Sequence, residues 1–291
     1  MRIAESELIL NPDGSIYHIN LRPENLADKI ILVGDPHRVP TVSSFFDTIE
    51  FKTEKREIVT HTGTFEGERF TVISTGMGPD NIDIVLTELD AVANVDFEKR
   101  EPRSQHRPLT LVRMGTSGSF QADIPVDSFV AALYTIGFDN LMHSYQTPEN
   151  FFETDIENAF IQHTQWNPNM GRPYVIKTNE ALVNSMLGDN TRVGFTATAG
   201  GFYGPQGREI RLQARDRQLN DKITAFRYND LRITNMEMET SAIYGLSNLL
   251  GHRACSMNCI VANRETGEFS QDSYKSVKKM IEYSLYKMKE I

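Results

Sequence analysis

"KIILVGDPHR", residues 29–38, decides the fold. Ile30 to Val33 form an unbroken apolar run of strand length, which reads as a buried strand. Gly34–Asp35–Pro36 then turns the chain into a short helix, "PHRVPTVSSFFD", interrupted by Pro40. A buried strand feeding directly into a helix is the unit from which layered α/β proteins are built.

The same alternation continues along the chain. "REIVTHTGTFEGERFTVISTG" reads as a hairpin turning at Glu66–Gly67–Glu68. "PDNIDIVLTELDAVANV" follows, with Ile82, Val85, Leu86, Leu89 and Val92 on one helical face. Further strands are expected at 109–115, 127–134 and 191–200. "TNMEMETSAIYGLSNLLG" runs from strand into helix, "ACSMNCIVANR" is a late strand, and 270–291 is an amphipathic closing helix. The expectation is one three-layer αβα domain over residues 1–291 with a central mixed sheet. Residues 97–108 read as a long surface loop, and 137–179 have no legible pattern.

The net charge of −9 argues against a duplex-binding protein, whose affinity would come from Lys and Arg on phosphates. An anionic ligand would need a few locally placed cations. The start, with Arg2, Glu5 and Glu7 and no apolar core, is a poor signal peptide. "FVAALYTIGF" falls short of a membrane span. Cys255 and Cys259 lie four apart on one face of a strand and read as a reduced, buried pair in a cytoplasmic protein.

The unusual residues lie at strand ends, where open α/β sheets bind ligands. Gly34 and Arg38 follow one strand, and Arg113 and Thr116 are placed just past another. Gly-rich turns and arginine forks suit an oxyanion, with Arg56 as a third cation. "GDP" alone is also an ordinary strand-to-helix turn. In "TNMEMET", strand alternation points Glu237 and Glu239 one way and Met236 and Met238 the other. The two carboxylates fit paired acids, metal ligands, acceptors for sugar hydroxyls, or, for Glu239, a favourable helix N-terminus. No His–His or His–Glu spacing completes a metal site, so none is expected. In "GGFYGPQGRE", residues 200–209, Phe202 offers an aromatic face, with the Gln206 amide and Arg208 guanidinium two residues apart. A flat heterocycle would need that combination.

Taken in order, "YHINL", "VGDPHR", "STGMG", "VRMGTSG", "FYGPQGR", "NMEMET" and "IVANR" resemble the nucleoside phosphorylases of the purine/uridine phosphorylase superfamily, uridine phosphorylases most closely. The resemblance implies pentosyl transfer to inorganic phosphate as co-substrate, with no other cofactor. It implies phosphate binding by Gly34, Arg38, Arg113 and Thr116, with Arg56 reaching in from a neighbouring subunit. His18, across the same boundary, would approach the ribose 5′-hydroxyl. Glu239 would accept from the 2′- and 3′-hydroxyls, Met238 would pack on the sugar, Phe202 would stack on the base, and Gln206 and Arg208 would bond its edge. Arg113, Arg208 and Glu239 would carry the catalysis. Such proteins form homodimers or hexamers of dimers.

Purine phosphorylases of this superfamily typically place a Ser–Asp acid after the late strand. Here that segment reads "VANRET", with Asn263 and Arg264, so uridine is expected, with deoxyuridine or thymidine as further substrates. Gly78–Pro79–Asp80 departs from the glycine pair and serine near a monovalent-cation site in bacterial uridine phosphorylases, which leaves a cation open. A purine phosphorylase, a nucleosidase and a non-catalytic nucleoside sensor are the alternatives. Arg113→Ala is expected to abolish phosphorolysis with the fold intact.

Overall fold

The computed structural model describes residues 2–291. In chain order the elements are β1 (Lys29–Val33), α1 (Arg38–Ser43), β2 (Thr48–Lys55), β3 (Ile58–Phe65), β4 (Glu68–Ser74), α2 (Pro79–Asn94), β5 (Val95–Asp96), β6 (Glu101–Pro102), β7 (Thr110–Ser119) and β8 (Phe129–Gly137). They continue with α3 (Thr154–Thr164), β9 (Tyr174–Lys177), α4 (Glu180–Ser185), β10 (Thr191–Thr198), α5 (Leu219–Ala225), β11 (Asn235–Glu237), α6 (Thr240–Leu249), β12 (Arg253–Asn263) and α7 (Ser273–Lys289).

A ten-stranded mixed sheet carries the chain, in the order β11-β10-β8-β12-β7-β1-β4-β3-β2, with β9 paired to β8. β1 runs parallel to β4 and β7, and β12 parallel to β7 but antiparallel to β8. β1 alternates between two cores, as the unbroken apolar run requires. Ile30 and Leu32 pack with Val85, Leu89 and Tyr244 from α2 and α6. Ile31 and Val33 pack with Val39, Met280 and Leu285 from α1 and α7. The αβα layering follows from that alternation.

Several expectations need correction. β11 also pairs antiparallel with β7, so five strands close into a small barrel at one end of the sheet. β7 therefore runs on through Ser119, and Arg113 and Thr116 lie within the strand rather than past it. Its small residues Gly115, Ser117, Gly118 and Ser119 let the strand continue between β12 and β11. The hairpin is a three-stranded meander, because β2 precedes it as a largely exposed edge strand with too little apolar patterning to read. The 137–179 stretch holds α3 and β9. Its Phe160 and Val175 join Trp166, Phe195 and Phe226 in a third core. Residues 97–108 are mostly loop, with β5 and β6 forming a two-strand ribbon. Cys255 and Cys259 are free and share one core, where burial pushes both thiols up to about 12. Among the described residues no helix is long and apolar enough to cross a membrane.

Tyr244 pins α6 to the sheet, its hydroxyl donating to the Ala132 carbonyl and accepting the Ser256 N–H at 2.9 Å. Tyr244→Phe leaves both backbone groups buried without partners. It is expected to cost about 1–3 kcal/mol, read as a lowered denaturant midpoint at unchanged slope.

Candidate active site

A cavity of about 800 Å³ opens at the carboxyl ends of β1, β4, β10 and β11. Gly34, Arg38, Arg113, Thr116, Phe202, Gln206, Arg208, Met238 and Glu239 all line it. The structure thus gathers nine of the eleven residues named above.

Arg113 is the buried centre of this site, only 5% exposed. Nη2 lies 2.5 Å from Glu239 Oε2 and 3.2 Å from Glu237 Oε2, and Nη1 donates to Asn258 Oδ1 at 2.9 Å. Gly115 makes the room, since a Cβ there would stand 2.0 Å from the guanidinium. Burial works against the charge of Arg113, but Glu237 and Glu239 more than offset it and hold it above its ordinary range. Two carboxylates share this one cation. Burial and the repulsion of Glu237 push the Glu239 carboxyl up, against the pull of Arg113.

Glu237 and Glu239 do meet on one side, at the same Arg113 nitrogen, but not by strand alternation, because β11 ends at Glu237. Glu237 accepts from Thr198 Oγ1 at 2.7 Å and from the Glu239 and Thr240 N–H groups, capping α6 from within the site. Glu239 occupies the N-cap position, and its Oε1 accepts the Gly78 N–H at 2.8 Å. Gly78 has φ 98°, a conformation open only to glycine at low cost. The departure at Gly78–Pro79–Asp80 therefore has a use: it aims a backbone donor at Glu239.

Arg38 keeps most of its donors unengaged. Among the described residues its side chain makes one hydrogen bond, from Nη1 to the Met114 carbonyl at 3.1 Å. Burial and the nearby Arg113 lower its guanidinium, so a dianion beside it would be welcome.

At the other end, Gly204–Gln206 forms a 3-10 turn with Pro205 in its first turn, an ordinary place for proline. Gly207 in the left-handed region then brings Gln206 and Arg208 to one side. Gln206 is 3% exposed, and its carbonyl accepts from Arg208 Nη1 and from Arg264 Nη2, the latter at 3.0 Å. Arg208 lies over the half-exposed Phe202 ring, 4.0 Å from its centroid, so one face of Phe202 is already covered. Arg264 is the residue that sequence reasoning missed. Burial and Arg208 lower it to about 10, still a cation at neutral pH. Its signal was present in "VANRET", but nothing there says that it reaches 58 positions back to Gln206.

His18 and Arg56 are not brought into the cavity. Arg56 is exposed at the β2–β3 turn, while its neighbour Glu57 lines the cavity. Lys55 donates to the Tyr17 carbonyl and lies over its ring, tying that turn to the His18 segment. The Arg56 turn and the His18 segment are thus neighbours, and Glu57 of that turn lines the cavity.

Asp90, His106 and His252 approach within 4.8 Å of one another. The Leu109 N–H donates to His252 Nδ1 at 3.2 Å, so the ring proton is on Nε2, which stands 3.2 Å from Asp90 Oδ1 but makes no hydrogen bond among the described residues. A protonated nitrogen is no metal ligand. The cluster is a polar link between α2 and the start of β12.

Residues 28–285 match the model of the phosphorylase superfamily. The chain belongs to that superfamily. It is similar to a uridine phosphorylase of Thermococcus kodakarensis, 30% identical over 90% of this chain and 83% of that one. It is also similar to a DeoD-type purine nucleoside phosphorylase of Geobacillus stearothermophilus, 27% identical over 92% and 96%. Among solved structures, a Trypanosoma brucei nucleoside phosphorylase described as showing uridine phosphorylase activity superposes with a TM-score of 0.87. It is 29% identical, with 98% of this chain and all of that one covered. The fold class read from the sequence stands on that likeness.

The raised Glu239 carboxyl makes a prediction with a definite sign. A carboxyl raised in the folded state binds its proton more tightly there, so its contribution to stability is lost as pH rises through the folded value. Glu239→Gln removes this titration. Its stability relative to the parent should therefore increase as pH rises above 4.5, the ordinary value, in paired thermal melts.

Proposed function

We propose that the protein splits uridine with inorganic phosphate, giving uracil and ribose 1-phosphate, and that 2′-deoxyuridine or thymidine are further substrates. The supporting observation is the Gln206 carbonyl clamped by Arg208 and Arg264. With its carbonyl held, the Gln206 NH2 and the Arg208 guanidinium are the donors that line the base end of the cavity, and Arg264 fixes Gln206 from behind that lining.

As the C1′–N1 bond lengthens, positive charge grows on the ribose and negative charge on the base. A phosphate held by Arg38, Arg113, Thr116 and the Gly34 turn supplies the attacking oxygen and a favourable field for the cationic sugar. Glu239, already oriented by Gly78 and Arg113, retains lone pairs for the ribose 2′- and 3′-hydroxyls beside Met238. The electron pair leaving with N1 spreads to O2 and O4 of uracil, where the donor set receives it without proton transfer. A purine leaves more readily with N7 protonated. Asn263 has no part in that, since its amide is spent on the Gln121 and Ile124 carbonyls. Arg264 brings a cation rather than an acid. The free, buried cysteines fit work in a reducing compartment such as the cytoplasm, in nucleoside catabolism and pyrimidine salvage.

A second copy of the chain completes the site in this reading. The exposed Arg56 sits next to Glu57, which lines the cavity of its own chain, so a two-fold pairing over this edge would carry each Arg56 and His18 to the partner's cavity. A homodimer is sufficient, and a hexamer of three such dimers preserves the arrangement. No cofactor beyond phosphate is required; the reading assigns no role to a monovalent cation.

Uracil release from uridine should depend strictly on added phosphate, with inosine run in parallel giving none. Arg264→Ala should lower kcat/KM for uridine by about a hundredfold. Arg113→Ala should lose activity and stability together, by about 3–5 kcal/mol, because two buried carboxylates are left without their cation. The geometry thus replaces the expectation of an intact fold. Release from inosine instead of uridine would overturn the base assignment.

A further inference from the structure

Glu88 lies on α2, its side chain 13% exposed, and spends its carboxylate entirely on the segment that carries His18. Oε2 accepts the His18 and Ile19 N–H groups, each at 2.9 Å. Oε1 stands 2.5 Å from His18 Nδ1 and 3.2 Å from the His18 N–H. A carboxylate that already receives two backbone donors is the acceptor, so the proton between them is on Nδ1. The Tyr17 ring meets the imidazole edge-on at 4.7 Å and limits its swing. Among the described residues Nε2 has no partner, and the side chain is 29% exposed.

We infer that Glu88 is the positioning residue for His18, holding the Nδ1 proton so that Nε2 is the one atom presented to the 5′-hydroxyl of a nucleoside in the partner's cavity. The inference rests on the reading above, in which His18 crosses to the neighbouring site. Whatever charge the ring carries, Glu88 holds the Nδ1 side, and the ring and two backbone groups move as one unit with α2. Histidines at work commonly have one nitrogen fixed in this way by a carboxylate.

The test compares uridine with 5′-deoxyuridine, which lacks only the hydroxyl in question. The parent protein should favour uridine. Glu88→Gln keeps an oxygen for the backbone N–H groups but loses the charged acceptor, and should reduce the uridine to 5′-deoxyuridine ratio of kcat/KM by about tenfold. His18→Ala should reduce the ratio as far, and the double variant should fall no further. A ratio unchanged in Glu88→Gln, or one that falls additively with His18→Ala, overturns the proposal.

Nitrogen-15 NMR of the imidazoles, with His18 identified by its absence in His18→Ala, reads the parent protein directly and does not need the variant to fold. A proton on Nδ1 supports the proposal, and a neutral ring protonated on Nε2 overturns it whatever the substrate proves to be. Nδ1 protonation in a protein that turns over neither nucleoside overturns the uridine reading, and the hydroxyl half of this proposal with it.

Discussion

Arg113 is the constraint on which the rest of the structure depends. A guanidinium buried in the middle of a β-strand is tolerated only where charge and hydrogen bonds surround it. Glu237, Glu239 and Asn258 supply them from β11, the start of α6 and β12. Satisfying one cation therefore fastens three elements to β7 at the level where β11 closes the small barrel. Gly115 yields its side-chain volume to the guanidinium. The carboxylate facing the cavity is oriented by the same interaction that holds the strands together, so site and scaffold are hard to separate here.

The cavity is polar at both ends, with a different logic at each. Toward Arg38 the donors are largely unspent, as suits a ligand that brings its own charge. Toward Gln206 they are tied to one another, and two neighbouring guanidinium groups tolerate their closeness by sharing one carbonyl oxygen. Their proximity and burial lower Arg264, a strained arrangement that an electron-rich group would relieve. Between the ends lies Glu239, whose ionisation is opposed by burial and favoured by Arg113 and Gly78. A chain with net charge −9 thus concentrates cations where an acidic protein would otherwise repel an anion.

Position relative to the sheet also explains why two candidates lie outside the cavity of their own chain. Arg56 and Glu57 are adjacent and both exposed at a tight turn, and of the two only Glu57 lines the cavity. The Lys55–Tyr17 contact links that turn to the N-terminal segment, and Glu88 links the segment to α2. The outward surface is consequently a built unit rather than a set of loose side chains.

Local features of the chain were enough for much of this. The apolar run Ile30–Val33 required a strand covered on both faces, and alternating patterns after it required helical layers on either side. The order of motifs along the chain was enough to name a family, and nine of the eleven candidate residues line one cavity. What the chain could not show by itself depended on distance in sequence. β2 is an exposed edge strand, and the 137–179 region folds into a core shared with residues 195 and 226, so neither has a periodicity that reads locally. The partnership of Arg264 with Gln206, the Gly78 donor to Glu239 and the closure of β11 onto β7 each join segments tens of residues apart. Periodicity and turn chemistry report which groups need partners. Only the tertiary structure decides which partner each one has, because hydrogen bonds and ion pairs act over a few ångströms regardless of the length of chain between them.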